Sequence, residues 1–191
     1  MSRIFKTVII SDFYDRHMNK TKAPLRAANG NHVTNGIPHG STSLTPFLAI
    51  TNAGAAVEFY RSVFDARIVD VMDINGLVIH AELDFGSGKL QIGEPNPDYG
   101  LIPAPEGEEA CYSIGMYCPD VDAVVARAQA AGAVVREPVT TFVSGDRFGS
   151  IRDPFGVRWT ILTRVEDLSE AESADRVTQW AAQGMSAETA D

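Results

Sequence analysis

Residues 53–85 read AGAAVEFYRSVFDARIVDVMDINGLVIHAELDF, and the change of period inside this stretch decides the fold. Ala53, Ala56, Val57, Tyr60, Val63 and Phe64 recur at helical spacing, which predicts an amphipathic helix over 53–64 with Asn52 placed to cap it. The pattern then changes to strands at 66–73 and 77–85, separated by Asn75-Gly76, a strong two-residue hairpin signal. Outward from there, Gly86-Ser87-Gly88 turns the chain into a strand at 89–93, and Ser43 to Ile50 reads as the strand that precedes the helix. The order is βαβββ.

The second half repeats that order. A strand at 110–118 leads to Asp120, an N-cap, and to a helix whose Val121, Val124, Val125, Ala128 and Ala131 share one face, with Gly132 as its left-handed stop. Strands at 133–140, 146–152 and 157–163 follow, the last two joined by the turn Asp153-Pro154-Phe155-Gly156. The expected class is mixed α+β, with a module at 43–94 and another at 110–164 joined by the Pro/Gly-rich linker 95–109, all within a domain spanning 43–168. Residues 1–42 read as an irregular extension apart from a short strand at Thr7 to Ile10. Residues 169–191 read as a helix and tail, opened by the capping box Ser169-Glu170-Ala171-Glu172.

Composition removes several function classes. The chain has 191 residues, 45% hydrophobic and 21% charged, enough to bury a full core. No apolar run approaches the roughly 20 residues of a membrane-spanning helix, and the N-terminal stretch lacks the apolar core of a secretory leader, so a cytoplasmic location is expected. Sixteen Lys and Arg against 25 Asp and Glu give a net charge of −9, which opposes binding to a phosphate backbone; nucleic acid is not an expected partner. Cys111 and Cys118 are too few for a disulfide framework or a cysteine metal site.

In this order, the words Thr45-Pro46-Phe47-Leu48, Glu58-Phe59-Tyr60-Arg61-Ser62-Val63-Phe64, His80-Ala81-Glu82-Leu83, Asp120-Val121-Asp122-Ala123, Gly145-Asp146-Arg147-Phe148-Gly149, Asp153-Pro154-Phe155-Gly156 and Val165-Glu166-Asp167-Leu168 are specific as a set. The chain resembles the vicinal oxygen chelate superfamily of glyoxalase I, bleomycin-resistance proteins and extradiol dioxygenases, and within it the PhnB-like branch. The resemblance implies paired half-barrels, each with its helix on the convex side, around a central cavity for a small ligand. It also implies a homodimer, for which residues 1–42 or the helix after Ser169 would serve as an exchanged arm. Asp65 stands where relatives usually place glycine, a modest departure because Asp tolerates the left-handed conformation.

In metal-using relatives the ligands, His and Glu, come from the first and last strands of each module. Strand alternation puts the apolar residues under the helix and leaves Thr45 and Phe47, Gln91, Ser113 and Tyr117, and Arg158 and Thr160 facing the cavity, with Phe148 a further wall. The ligand-equivalent positions Thr45, Gln91, Ser113 and Thr160 carry three hydroxyls and an amide, where divalent ions require imidazoles and carboxylates. No metal ligand and no cofactor is therefore expected. One polar pair remains: alternation puts Val78, His80, Glu82 and Asp84 on one face, so if that face lines the cavity His80 and Glu82 could act as an acid/base pair or as two ligands of a displaced metal site, or else they bond to neighbouring strands.

These observations lead to a small-molecule-binding protein that sequesters an organic ligand in an apolar cavity without metal. The alternative is an enzyme, a glyoxalase-type lyase or isomerase or a dioxygenase, using His80 and Glu82 with or without a divalent metal. A protein-interaction module with a filled cavity is a third reading.

Overall fold

The structure, a computed structural model, describes residues 26–107 and 109–188. The chain divides into two compact units, Met1–Ser43 and Leu44–Asp191. In the first, β1 (Val33–Thr34) and β2 (Ile37–Pro38) pair antiparallel across Asn35-Gly36, whose φ angles of 50° and 80° are those a two-residue hairpin needs. The stretch read as irregular therefore contains a hairpin, while the strand expected at Thr7 to Ile10 lies outside the described residues.

The second unit is mixed α+β and repeats one module. The first copy runs β3 (Phe47–Ala49), α1 (Ala53–Phe64), β4 (Arg67–Ile74), β5 (Leu77–Asp84) and β6 (Lys89–Gly93). The second runs β7 (Ile114–Tyr117), α2 (Val121–Ala130), β8 (Val134–Thr141), β9 (Asp146–Arg152) and β10 (Arg158–Arg164), and α3 (Glu170–Glu188) follows. Each copy makes an open four-stranded sheet, ordered β3-β6-β5-β4 and β7-β10-β9-β8. In each, the strand before the helix pairs parallel with the last strand and the remaining pairs are antiparallel.

Both helices and the helix-side faces of both sheets share one core. Ala53, Ala56, Val57, Tyr60, Val63 and Phe64 are all buried, as the 3.6-residue spacing requires, and Trp159 lies against Tyr60 and Phe64 at ring-centroid distances of 5.3 and 4.7 Å. Asp153 joins the halves: its carboxylate accepts from Tyr60 Oη (2.7 Å), Trp159 Nε1 (3.0 Å) and the backbone N–H groups of Phe155 and Val157 (both 2.9 Å). Arg127 of α2 adds a second tie, donating to the Val63 carbonyl from Nε and Nη2 at 3.1 and 2.7 Å.

Caps follow the sequence with one exception. Asp120 accepts from Ala123 N at 3.0 Å, Asp65 is left-handed at φ 58°, and Ser169 and Glu172 form the reciprocal box. Asn52, however, is itself left-handed and makes no side-chain cap. Glu94 at the end of β6 does so instead, accepting from Asn52 N and Ala53 N at 3.2 and 2.8 Å, a carboxylate at the positive end of the helix.

The alternation read for 77–85 holds only from His80 onward. Met72 pairs with His80 but Asp73 pairs with Val78, so Ile79 is an inserted residue and the strand reverses its faces there. Val78 consequently packs against the core, and Leu77 and Ile79, expected under the helix, are 55% and 39% exposed. A bulge is a tertiary choice of the pairing partner, which a period-2 pattern cannot reveal.

Candidate functional site

Because the core occupies the helix side of both sheets, the opposite faces are the open ones. On the first sheet Phe47 of β3, Gln91 of β6 and Glu82 of β5 are register partners in one row, and His80 lies two residues along β5. The Glu82 carboxylate is fully engaged: Lys89 Nζ donates to Oε1 at 2.7 Å and Gln91 Nε2 to Oε2 at 3.1 Å. The hydrogen bond from Lys89, followed by that from Gln91, holds this carboxyl below the usual glutamate range. His80 is half-buried and stacks on Phe47, with ring centroids 6.3 Å apart and planes 30° apart.

Since the folded value of Glu82 is lowered, the pair's contribution to stability is complete above the ordinary glutamate range and is lost as the pH falls through the folded value. Lys89→Met should therefore lower stability by about 1 kcal/mol at neutral pH, a figure discounted for partial exposure, and by progressively less in acid. Urea midpoints of wild type and variant across acidic pH check this; a pH-independent difference contradicts it.

On the second sheet Arg158, Thr160 and Leu162 of β10 oppose Arg152, Ser150 and Phe148 of β9. Thr160 and Ser113 hydroxyls are 3.1 Å apart, and Arg158 Nη2 is 4.0 Å from a Glu137 carboxylate oxygen. Tyr117 is 60% exposed and donates to Asp146 Oδ1 at 3.2 Å, which also meets Arg164 Nε at 3.0 Å. Arg147 pairs with Asp122, whereas Arg152 does not pair with its neighbour Asp153; its Nη2 donates to the Pro105 carbonyl at 3.3 Å.

Two clefts border the seam between the halves. One, of 430 Å³, touches Phe64, Arg67, Met116 and Cys118; the other, of 350 Å³, touches Leu90, Ile114, Trp159 and Lys89. Tyr117 lines both. The other residues read as cavity walls lie elsewhere: half-buried Thr45 precedes β3, Phe47 and Gln91 lie on one open face, and Ser113, Phe148, Arg158 and Thr160 lie on another. The structure thus gathers the set into two groups, one per sheet.

Thr45, Gln91, Ser113 and Thr160 carry three hydroxyls and one amide, donors without the charge or imidazole that would fit a divalent ion. Glu94, the nearest carboxylate in sequence to Gln91, is committed to the α1 cap. Among the described residues no three His, Cys, Asp or Glu side chains cluster as ligands, and no helix is long and apolar enough to cross a membrane.

Docking of α3 was only partly legible. Trp180 rests edge-on against Phe142 at 5.0 Å, Phe142 rests on Phe148 at 6.3 Å, and Ser173 Oγ donates to the Ser144 carbonyl at 2.9 Å. The helix thereby abuts the aromatic end of the second open face; the capping box at Ser169 signals the helix but not its seat.

Two βαβββ modules sharing one core, with polar and aromatic side chains on the faces turned away from their helices, define the class of protein. The chain belongs to the Glyoxalase/Bleomycin resistance protein/Dioxygenase superfamily, whose model matches residues 31–161. An uncharacterized protein of Mycobacterium bovis is 30% identical over 135 residues, covering 68% of this chain and 88% of that one. Among solved structures, TioX from Micromonospora sp. ML1 is 27% identical, with a TM-score of 0.54 and coverage of 65% of this chain and 99% of that one. The PhnB protein from Bacillus cereus, named a putative 3-demethylubiquinone-9 3-methyltransferase, shares the fold at 22% identity and a TM-score of 0.51, covering 64% of this chain and 99% of that one.

Proposed function

We propose that this protein binds a small organic molecule on the open faces of its modules and holds it without a metal ion and without chemical conversion. The observation that carries this reading is the donor set at Thr45, Gln91, Ser113 and Thr160, which offers a ligand hydrogen bonds but offers a cation no charge. Glu82 points the same way: a carboxylate bonded at both oxygens and held ionised is a structural anchor for Lys89 and Gln91, not a group poised to exchange protons with His80.

Two open half-barrels imply a second copy to close them. Met72, Ile74 and Leu77 at the end of the β4–β5 hairpin are 52%, 48% and 55% exposed, an apolar patch that a homodimer would cover. Light scattering should give twice the chain mass of 20.6 kDa, and the monomer mass would remove the dimer from the proposal. Elemental analysis of freshly purified protein should find no stoichiometric Zn, Ni, Mn or Fe, and one tightly bound ion per chain would overturn the metal-free reading. His80→Ala should leave ligand affinity within about threefold, because the ring contributes a stacking surface and not a proton; loss of a measurable turnover in that variant would establish the enzyme instead.

A further inference from the structure

We infer that the ligand of the second open face is an amphipathic organic anion, its carboxylate held between Arg152 and Arg158 and its hydrocarbon lying toward Leu162 and Phe148. This rests on the proposed small-molecule binding and adds the chemical class of the molecule.

Three cross-strand pairs build the face: Arg158 opposite Arg152, Thr160 opposite Ser150, and Leu162 opposite Phe148. The residues between them, Trp159, Ile161 and Ile151, are at most 1% exposed in the core, so all three pairs face away from it. Successive pairs are about 7 Å apart, giving a gradient from guanidinium through hydroxyl to apolar surface over roughly 13 Å. An inorganic ion would use only one end of that gradient, whereas an amphipathic anion spans it.

Two observations require an acceptor at the charged end. Like charges directly opposed on neighbouring strands repel, and the counter-charge is thin. Arg158 has only Glu137 at 4.0 Å, and among the described residues no carboxylate pairs with Arg152. Asp153, the neighbour that would neutralise Arg152, is turned into the core by Tyr60 and Trp159. Donors are also in surplus. Ser150 is 1% exposed and its hydroxyl has no partner; Arg152 Nε is likewise buried and unpartnered. Thr160 and Ser113 share a single hydrogen bond between two hydroxyls, which leaves a further O–H to donate. A carboxylate accepts several such bonds at once and matches the planar fork of a guanidinium. With a net charge of −9 the chain does not attract anions at long range, so recognition has to be this local.

Calorimetric titration of the full chain with 4-phenylbutyrate, with its neutral counterpart 4-phenyl-1-butanol and with inorganic phosphate tests the assignment. The carboxylate should bind at least about tenfold more tightly than the alcohol. Arg152→Gln should abolish that preference while leaving the alcohol's affinity unchanged, with an unaltered circular dichroism spectrum. Arg158→Gln is the second variant should the first unfold, and the same loss is expected. Equal binding of alcohol and carboxylate would overturn the anion assignment and leave the binding function standing. Phosphate displacing phenylbutyrate at equal concentration would overturn the amphipathic assignment in favour of a bare anion site. Binding of neither organic probe would overturn the assignment, while the proposed binding function is judged separately by whether the protein retains an organic molecule from cells.

Discussion

Asp153→Ala should lower the free energy of unfolding by about 3–5 kcal/mol, the largest effect expected of any polar substitution in the domain. Asp153 is 4% exposed, and its removal leaves four donors without an acceptor: Tyr60 Oη–H, Trp159 Nε1–H and the amides of Phe155 and Val157. Tyr60 comes from the first module and the rest from the second, so the loss also loosens the seam. Urea denaturation measures it; a change under about 1 kcal/mol would mean that water replaces the carboxylate freely. The pH dependence has a defined sign. Burial pushes the Asp153 carboxyl above the ordinary aspartate range, against the pull of its hydrogen bonds from Trp159 and Tyr60. A raised folded value means that the folded protein holds the proton more tightly. The associated stability is therefore full below the ordinary aspartate range and declines as pH rises through the folded value. Asp153→Asn, which cannot ionise, should lack this decline, so the advantage of wild type over that variant should shrink as pH rises through the same range.

Gly93→Ala should cost about 3 kcal/mol, at the upper end for an overpacked site, because the obstacle is backbone. A methyl group at Gly93 would overlap the Ile79 carbonyl oxygen, lie 2.9 Å from the carbonyl carbon and 3.0 Å from the Phe47 ring. Ile79 is the bulged residue, so the strand cannot recede without breaking the register that sets His80 opposite Met72. The variant should therefore both melt earlier and displace the His80 ring from Phe47, visible as altered His80 ring resonances in the NMR spectrum. Stability within about 0.5 kcal/mol of wild type would show that β5 moves more freely than the paired strands imply.

Elements were legible where a local signal decides them. The helices over 53–64 and 121–130, the Asn75-Gly76 hairpin and the turn from Asp153 to Gly156 follow from spacing and from residues that accept particular dihedral angles. Partners across the fold were not. Nothing local to Glu94 says that it caps a helix 41 residues earlier, and nothing near Ile79 announces a bulge. At the open faces, alternation correctly separated Trp159 and Ile161 from Arg158 and Thr160, because β10 is regular throughout. It failed at Val78, where the strand changes sides. Arg152 shows the limit most clearly: adjacent strand residues point to opposite faces, so the core claims the carboxylate of its neighbour Asp153 while Arg152 turns to the Pro105 carbonyl.

Native mass spectrometry of the full chain, purified rapidly from cells without added ligand, tests the central claim most directly. The account predicts an assembly carrying a non-covalent organic molecule, with no mass increment for a divalent metal, whose bound molecule keeps the same mass after prolonged incubation. A stoichiometric metal increment, or a bound molecule that is converted to a new mass on the intact protein, would contradict it.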